Sequence, residues 1–218
     1  MVGFKLAIDG PAASGKSTIS SKLAKELGWT HIDTGSMYRA VTLIALENKI
    51  DLENEKEYEF INQMEFKYVD NKIYIDNRDV TKAIRDSIVN ENVSLVSSFP
   101  SVRKRMVELQ KIAAQTGNII MDGRDIGTVV LPKADLKIFL TASVDERSKR
   151  RYHDHLNKGD NRQLTTVKSD LITRDLKDTT RQESPLKKAE DAIILDTTHL
   201  TIDEVVKKII DLIEKRGE

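Results

Sequence analysis

The sequence predicts an α/β fold, a parallel sheet flanked by helices in three layers. Three observations carry that expectation. Short, wholly apolar strands alternate with helical patterns along the chain, as strands buried on both faces do. Two of these strands, Leu6-Ala7-Ile8 and Ile119-Ile120-Met121, run straight into Asp-Gly turns. Helix starts and stops stand where the pattern needs them, with capping boxes at Ser143-Val144-Asp145-Glu146 and Thr201-Ile202-Asp203-Glu204 and a stop at Gly28.

In chain order, Leu6–Ile8 is a buried strand. A helix follows from Gly15 or Lys16 to Leu27, with Ile19, Leu23, Ala24 and Leu27 inward. Trp29–Asp33 reads as the next strand, Trp29 being a packing residue, and Ser36–Glu47 as a helix with Ala40, Val41, Ile44 and Ala45 on one side. A weaker helix over 54–64 rests on Tyr58, Ile61 and Met64. The period then changes to two, so Phe66–Val69 and Lys72–Ile75, joined by a turn at Asp70-Asn71, form a small hairpin. The hairpin is out of character with its surroundings and reads as an insertion on the core. Helical patterns resume after Val80. One helix begins near Pro100, with Val102, Met106, Leu109 and Ala113 inward. Ile119–Asp122, Leu136–Leu140 and Ala192–Asp196 are strands. The last helix buries Ile202, Val205, Val206, Ile209, Ile210 and Ile213.

Composition narrows the function. The 218 residues include no cysteine, which excludes a disulfide scaffold, a thiolate zinc site and a cysteine nucleophile. Thirty-five basic residues balance 35 acidic ones, so net charge argues for neither bulk nucleic acid nor an anionic membrane. No apolar run is long enough to span a bilayer and no signal peptide is legible, so a cytoplasmic protein is expected. Charge is uneven along the chain, however. The stretch Arg147–Lys188 holds twelve basic and six acidic residues, either a solvated helical face or an anion trap. His153 and His155 read as solvated rather than as zinc ligands.

The strongest motif is Gly10-Pro11-Ala12-Ala13-Ser14-Gly15-Lys16-Ser17, which fits G-x-x-x-x-G-K-[ST] without deviation between a predicted strand and a predicted helix. Its glycines let main-chain N–H groups converge on an anion, and the helix N-terminus adds partial positive charge. Lys16 would reach the β and γ phosphates of a nucleoside triphosphate, and Ser17 would offer its hydroxyl to Mg²⁺. The guanine-reading Asn-Lys-x-Asp segment of GTPases is missing, and the core takes up nearly all the length, against a motor ATPase. A small kinase, with an acceptor pocket and a closing cover, is the expectation.

Further segments carry a resemblance. Ile8-Asp9-Gly10-Pro11, Asp33-Thr34-Gly35-Ser36-Met37-Tyr38-Arg39, Phe99-Pro100-Ser101-Val102-Arg103, Asp122-Gly123-Arg124-Asp125-Ile126-Gly127-Thr128-Val129-Val130, Arg174-Asp175 with Asp178 and Arg181, and Ser184-Pro185-Leu186 follow one another in order over almost the whole chain. Together they resemble the bacterial cytidylate kinases, the (d)CMP branch of the P-loop nucleoside monophosphate kinases. The resemblance implies one domain over 1–218. Its core would span about 1–33, 84–150 and 190–218, its monophosphate-binding insertion about 34–83, and its helical lid about 151–189. It implies Mg²⁺-dependent transfer of the ATP γ-phosphoryl group to CMP or dCMP. ATP would take Gly10 through Thr18. Arg39, Arg124 and Arg181 would hold the acceptor phosphate and, with Lys16, form the catalytic set. Ser94, Arg103 and Asp125 would read cytosine, with Thr34 and Tyr38 nearby, and Arg174 and Asp178 would meet the sugar.

Elementary chemistry agrees. A carboxylate such as Asp125 accepts from cytosine N4, and a guanidinium donates to N3 or O2. Uracil would set acceptor against acceptor, a buried mismatch of roughly 1–3 kcal/mol. Arg147 and Arg151, four apart, share a helix face and serve either the ATP side or surface ion pairs. Asp122 is either a carboxylate behind Mg²⁺ or a cap for the Gly123 turn, and the loop Thr197-Thr198-His199 lies by position where related kinases hold adenine. The expected partners are ATP and CMP or dCMP, with no nucleic acid and no membrane, and the chain is expected to act as a monomer. Adenylate or shikimate kinase activity and an ATP-driven switch are the competing readings. The Asp122–Asp125 run argues against the former, and the ordered acceptor-site arginines against the latter.

Overall fold

The computed structural model describes residues 2–69, 72–157 and 159–217. Five parallel strands form the main sheet: β1 (Val2–Asp9), β2 (Thr30–Asp33), β6 (Gly117–Gly123), β7 (Leu136–Thr141) and β8 (Ile193–Asp196), in the order β2-β6-β1-β7-β8. Leu6, Ala7 and Ile8 of the central strand are fully buried, because alternate side chains enter opposite layers. Leu6 and Ile8 pack with Ile19 and Leu23 of α1 (Lys16–Leu27) and with Val205, Val206 and Ile209 of α7 (Ile202–Gly217). Ala7 faces the other layer, with Ile32, Met121, Ile126 and Val107 of α4 (Pro100–Ala113). The predicted three-layer α/β sandwich is the observed one.

A further apolar cluster lies beyond the sheet. It joins α2 (Thr34–Glu47) and α3 (Ser87–Val96) to the start of α4 and to a second, antiparallel sheet of β3 (Phe66–Val69), β4 (Lys72–Ile75) and β5 (Arg78–Asp79). The hairpin is anchored to the core by Tyr68, whose hydroxyl donates to the Asp33 carbonyl at 3.0 Å. Two helices, α5 (Val144–Leu156) and α6 (Leu164–Thr180), pack on each other and complete the molecule.

Several expectations need correction. Residues Glu55–Asn62 form a 3-10 helix rather than an α-helix. Tyr58 and Ile61 recur at an interval of three, the 3-10 repeat, and both are buried. The strand β5 was not foreseen. It follows a two-residue turn at Asp76 and Asn77, whose φ angles of 48° and 68° suit these two residue types. The turn expected at Asp70-Asn71 lies outside the described residues. Ala113 is exposed because the inner stripe of α4 runs through Arg103, Met106, Val107 and Gln110. Ile202 is exposed in the first turn of α7. Trp29 precedes β2 and packs on Phe4, with ring centroids 5.2 Å apart. The helix α2 starts two residues early because Asp33 caps it, accepting from the Ser36 amide at 3.1 Å.

Gly10 leaves β1 with φ of 150°, and a Cβ there would lie 2.0 Å from the Leu140 carbonyl oxygen. Gly10→Ala should therefore cost at least about 1–3 kcal/mol in backbone strain alone, read as a lower urea midpoint at unchanged slope.

Candidate active-site cleft

The carboxyl ends of the strands bring acidic residues together. Register sets Asp9 beside Gly123 and Asp33 beside Asp122. A cleft of about 680 Å³ opens above these ends, as expected where the chain leaves the middle of a parallel sheet.

The predicted phosphate loop forms its floor. Ala13 at φ 58° and Gly15 at φ 93° turn the main chain around the N-terminus of α1. Lys16 donates from Nζ to the Pro11 carbonyl at 2.7 Å and to Ser14 Oγ at 3.2 Å. Burial, and then the Arg124 charge, hold its pKa well below the ordinary lysine value. The Ser17 hydroxyl donates to Asp122 Oδ2 at 2.8 Å. His31 Nε2 lies 2.6 Å from the other oxygen of Asp122. Burial works against the charged imidazole, but Asp122 outweighs it, so the His31 pKa is raised.

One end of the cleft is crowded with guanidinium groups, and carboxylates aim three of them, Arg103, Arg124 and Arg181. Arg103 Nη2 meets Asp125 Oδ2 at 2.7 Å, and its guanidinium sits 5.2 Å over the Tyr38 ring. Arg124 Nε donates to Asp178 Oδ2 at 2.7 Å. Arg181 reaches Asp178 at 3.4 Å and Asp125 at 3.5 Å, and gives its Nε to the Ser184 carbonyl. Burial, and then Arg124, lower the Arg174 pKa to about 9. Burial likewise lowers Arg39 to about 10; Asp33 opposes that shift, and Arg85, Arg151 and Arg124 add to it. For Asp33, burial favours the neutral acid, yet Arg39 and Arg85 hold the carboxyl well below the usual carboxylate range. Tyr38 Oη, Arg103 Nε and Arg174 Nε are buried without a protein partner. Such a set is a receptacle for a polyanion with further polar edges.

The structure brings most of the predicted residues to this one cleft: Ala12 through Thr18, Thr34, Tyr38, Arg39, Arg103, Arg124, Asp125, Arg151, Arg174, Asp178 and Arg181 line it. Gly10 and Pro11 lie beneath. Two do not line it. Ser94 sits two residues before the end of α3 and faces a second cavity of about 820 Å³ between α3 and α6. Ser97 lines the cleft instead, and its carbonyl accepts from Arg103 Nη1 at 3.3 Å. Arg147 is buried behind the loop, donating to the Ala12 and Ala142 carbonyls, both at 3.0 Å.

Other residues were not foreseen. Arg85 holds Asp33 Oδ2 and Ser36 Oγ, each at 3.0 Å. It belongs to no motif, and only the fold shows that it faces the cleft. Arg150 donates to Thr197 Oγ1 at 3.0 Å and to the Thr197 carbonyl at 2.7 Å, closing the end of the cleft opposite the arginine cluster. Its one legible signal was the arginine-rich helix that also carries Arg151. Asp9 accepts from the Ile126 amide at 2.8 Å and the Gly127 amide at 2.7 Å, pinning the turn that presents Asp125. Among the described residues, no cluster of three or more His, Asp or Glu side chains forms a metal site, and His155 pairs with Asp160 at 2.9 Å. No described helix is long and apolar enough to cross a membrane.

Burial raises the Asp9 pKa from 3.8 to about 6, against its two amide donors. Between those values the folded chain keeps a proton that the unfolded chain has lost, so this carboxyl takes stability away as pH rises through that window. Relative to Asp9→Asn, the wild type should lose on the order of 3 kcal/mol between pH 3.5 and pH 6.5, measured by denaturant unfolding at each pH.

The sequence matches the family model for cytidylate kinase over residues 6–215. It is 57% identical to a cytidylate kinase of Acholeplasma laidlawii, with 98% of this chain and 96% of the relative covered. It is 49% identical to a cytidylate kinase of Streptococcus pneumoniae, with 99% and 100% covered. A solved structure, an uncharacterized protein of Eubacterium ventriosum, superposes with a TM-score of 0.54 at 13% identity, covering 97% of this chain and 98% of that one, and so shares the fold. On this family match, and on relatives of about half identity along its whole length, the chain belongs to the cytidylate kinase family.

Proposed function

We propose that the protein transfers the ATP γ-phosphoryl group to CMP or dCMP, giving ADP and CDP or dCDP. Family membership supports the reaction. The observation that carries the residue assignment is the single continuous cleft with a phosphate loop at its centre and an arginine–aspartate array at one end. ATP lies on the loop, its base toward Thr197 and Ile202, and Lys16 turns from Pro11 and Ser14 to its β and γ phosphates. CMP lies opposite. Arg39 and Arg124 grip its phosphate, Arg103 and Asp125 meet the cytosine edge, and Arg174 and Asp178 face the sugar. Arg181 orders Asp125 and Asp178 and adds positive charge.

No general base is required. The attacking group is a phosphate oxygen of CMP whose second pKa is about 6, so it is ionised at neutral pH. Catalysis is alignment of the two substrates and stabilisation of charge on the transferring phosphoryl group by Lys16 and the arginines. The hydroxyl of Ser17 beside the Asp122 carboxylate is an all-oxygen donor pair, which suits a hard divalent cation. These two residues would hold Mg²⁺, which when bound neutralises phosphate charge. The insertion carrying α2 and the hairpin is the acceptor-binding piece, and α5 with α6 forms the cover that keeps water from ATP. Soluble nucleotide substrates suit a cytoplasmic monomer.

A coupled ADP-release assay across CMP, dCMP, UMP, AMP and shikimate tests the reading, and best turnover with AMP would remove it. Asp125→Ala should lower kcat/KM for CMP and narrow the CMP/UMP ratio by roughly tenfold or more; an unchanged ratio removes Asp125 from base recognition. Lys16→Met should abolish turnover and leave the circular dichroism spectrum unchanged.

A further inference from the structure

The motif pair Arg174-Asp175 divides its work between two sides of α6. Arg174 faces the cleft, whereas Asp175 turns to the phosphate loop. Asp175 Oδ1 accepts the Ala12 amide at 3.1 Å, and Oδ2 takes Arg147 Nη1 at 2.5 Å. The same Arg147 nitrogen donates to the Ala12 carbonyl at 3.0 Å, and Arg147 Nε donates to the Ala142 carbonyl just beyond β7. Both main-chain polar groups of Ala12 are therefore held by one ion pair, its arginine buried and its aspartate half-buried. The preceding carbonyl, Pro11, is held by Lys16.

We propose that Asp175 and Arg147 are positioning residues for the ATP-binding loop, setting its backbone through Ala12 while touching neither nucleotide. The inference rests on the reading that ATP occupies this loop. Three points support it. Arg147 is 5% exposed, does not line the cleft and has its Nε and Nη1 engaged by Ala142, Ala12 and Asp175, so it is not free to reach a phosphate. The loop passes through a positive φ at Ala13, a conformation that a residue with a Cβ keeps only where its surroundings enforce it. A carboxylate bridging an amide and a guanidinium is a strong, directional restraint of that kind. One turn along the same helix, Asp178 orders Arg124 and Arg181. The helix α6 thus sets the donor cradle through Asp175 and the acceptor array through Asp178. A shift of α6 must move both.

The test is Asp175→Asn, with Arg147→Met and Arg147→Lys beside it. ATP binding is measured by calorimetry without CMP, the two KM values by steady-state kinetics, and melting temperature on each variant. Asp175→Asn keeps the shape of the side chain but removes the charge that pairs with Arg147. It should weaken ATP binding and raise KM for ATP roughly tenfold or more, with KM for CMP and the CMP/UMP ratio within about twofold of wild type. Arg147→Met should match it, Arg147→Lys should recover part of the loss, and the Asp175→Asn/Arg147→Met pair should be no worse than the poorer single variant. A raised KM for CMP with unchanged ATP binding would assign Asp175 to the acceptor side and overturn the proposal. Equal losses for both nucleotides that track melting temperature would reduce the pair to general stability and overturn it as well. If the wild type binds ATP but does not phosphorylate CMP, the functional reading fails while the calorimetric comparison still decides this one.

Discussion

The register between β1 and β6 is the constraint on which the cleft depends. Because Asp9 lies beside Gly123, the turn that becomes the phosphate loop and the turn that carries Arg124 and Asp125 leave the sheet as neighbours. Asp9 then fastens the second turn by accepting two of its amides. That arrangement is held by a strand whose Leu6, Ala7 and Ile8 have no exposed surface. A slip of one residue would send each of these side chains to the wrong layer. The alignment of two substrates is thus inherited from hydrophobic packing well below the chemistry.

Concentrated positive charge is the second constraint on the cleft. Arg39, Arg124, Arg151 and Arg174 lie close enough to disturb one another, and burial makes each charge costlier. Asp33, Asp125 and Asp178 hold individual guanidinium groups in place without cancelling the excess. The result is a set of cations oriented in advance, so little reorganisation is needed when a phosphate arrives. The carboxylates also explain why the arginines are not interchangeable. Arg103 is held between Asp125 and the Tyr38 ring, while Arg124 is held by Asp178.

Much of this was legible in the sequence. The phosphate loop announces itself by spacing, the strands by unbroken apolar runs, and the helix ends by caps. Resemblance to a family supplied the acceptor-side residues, and all but Ser94 line the cleft. What could not be read depends on contacts between distant segments. Arg147 and Arg151 share a helix face, yet one reaches back to Ala12 and the other toward the cleft, because the phosphate loop passes close to the start of α5. Arg85 gains its place only when the insertion folds against Asp33, more than fifty residues earlier in the chain. The 3-10 helix at Glu55–Asn62 was misread because an interval of three also occurs within an α-helical pattern.

The single tryptophan, Trp29, sits against Phe4 where β2 begins, at the opposite end of the strands from the cleft. Its ring packs in the layer formed by α1 and α7. Intrinsic fluorescence excited at the indole band consequently reports whether that layer is assembled.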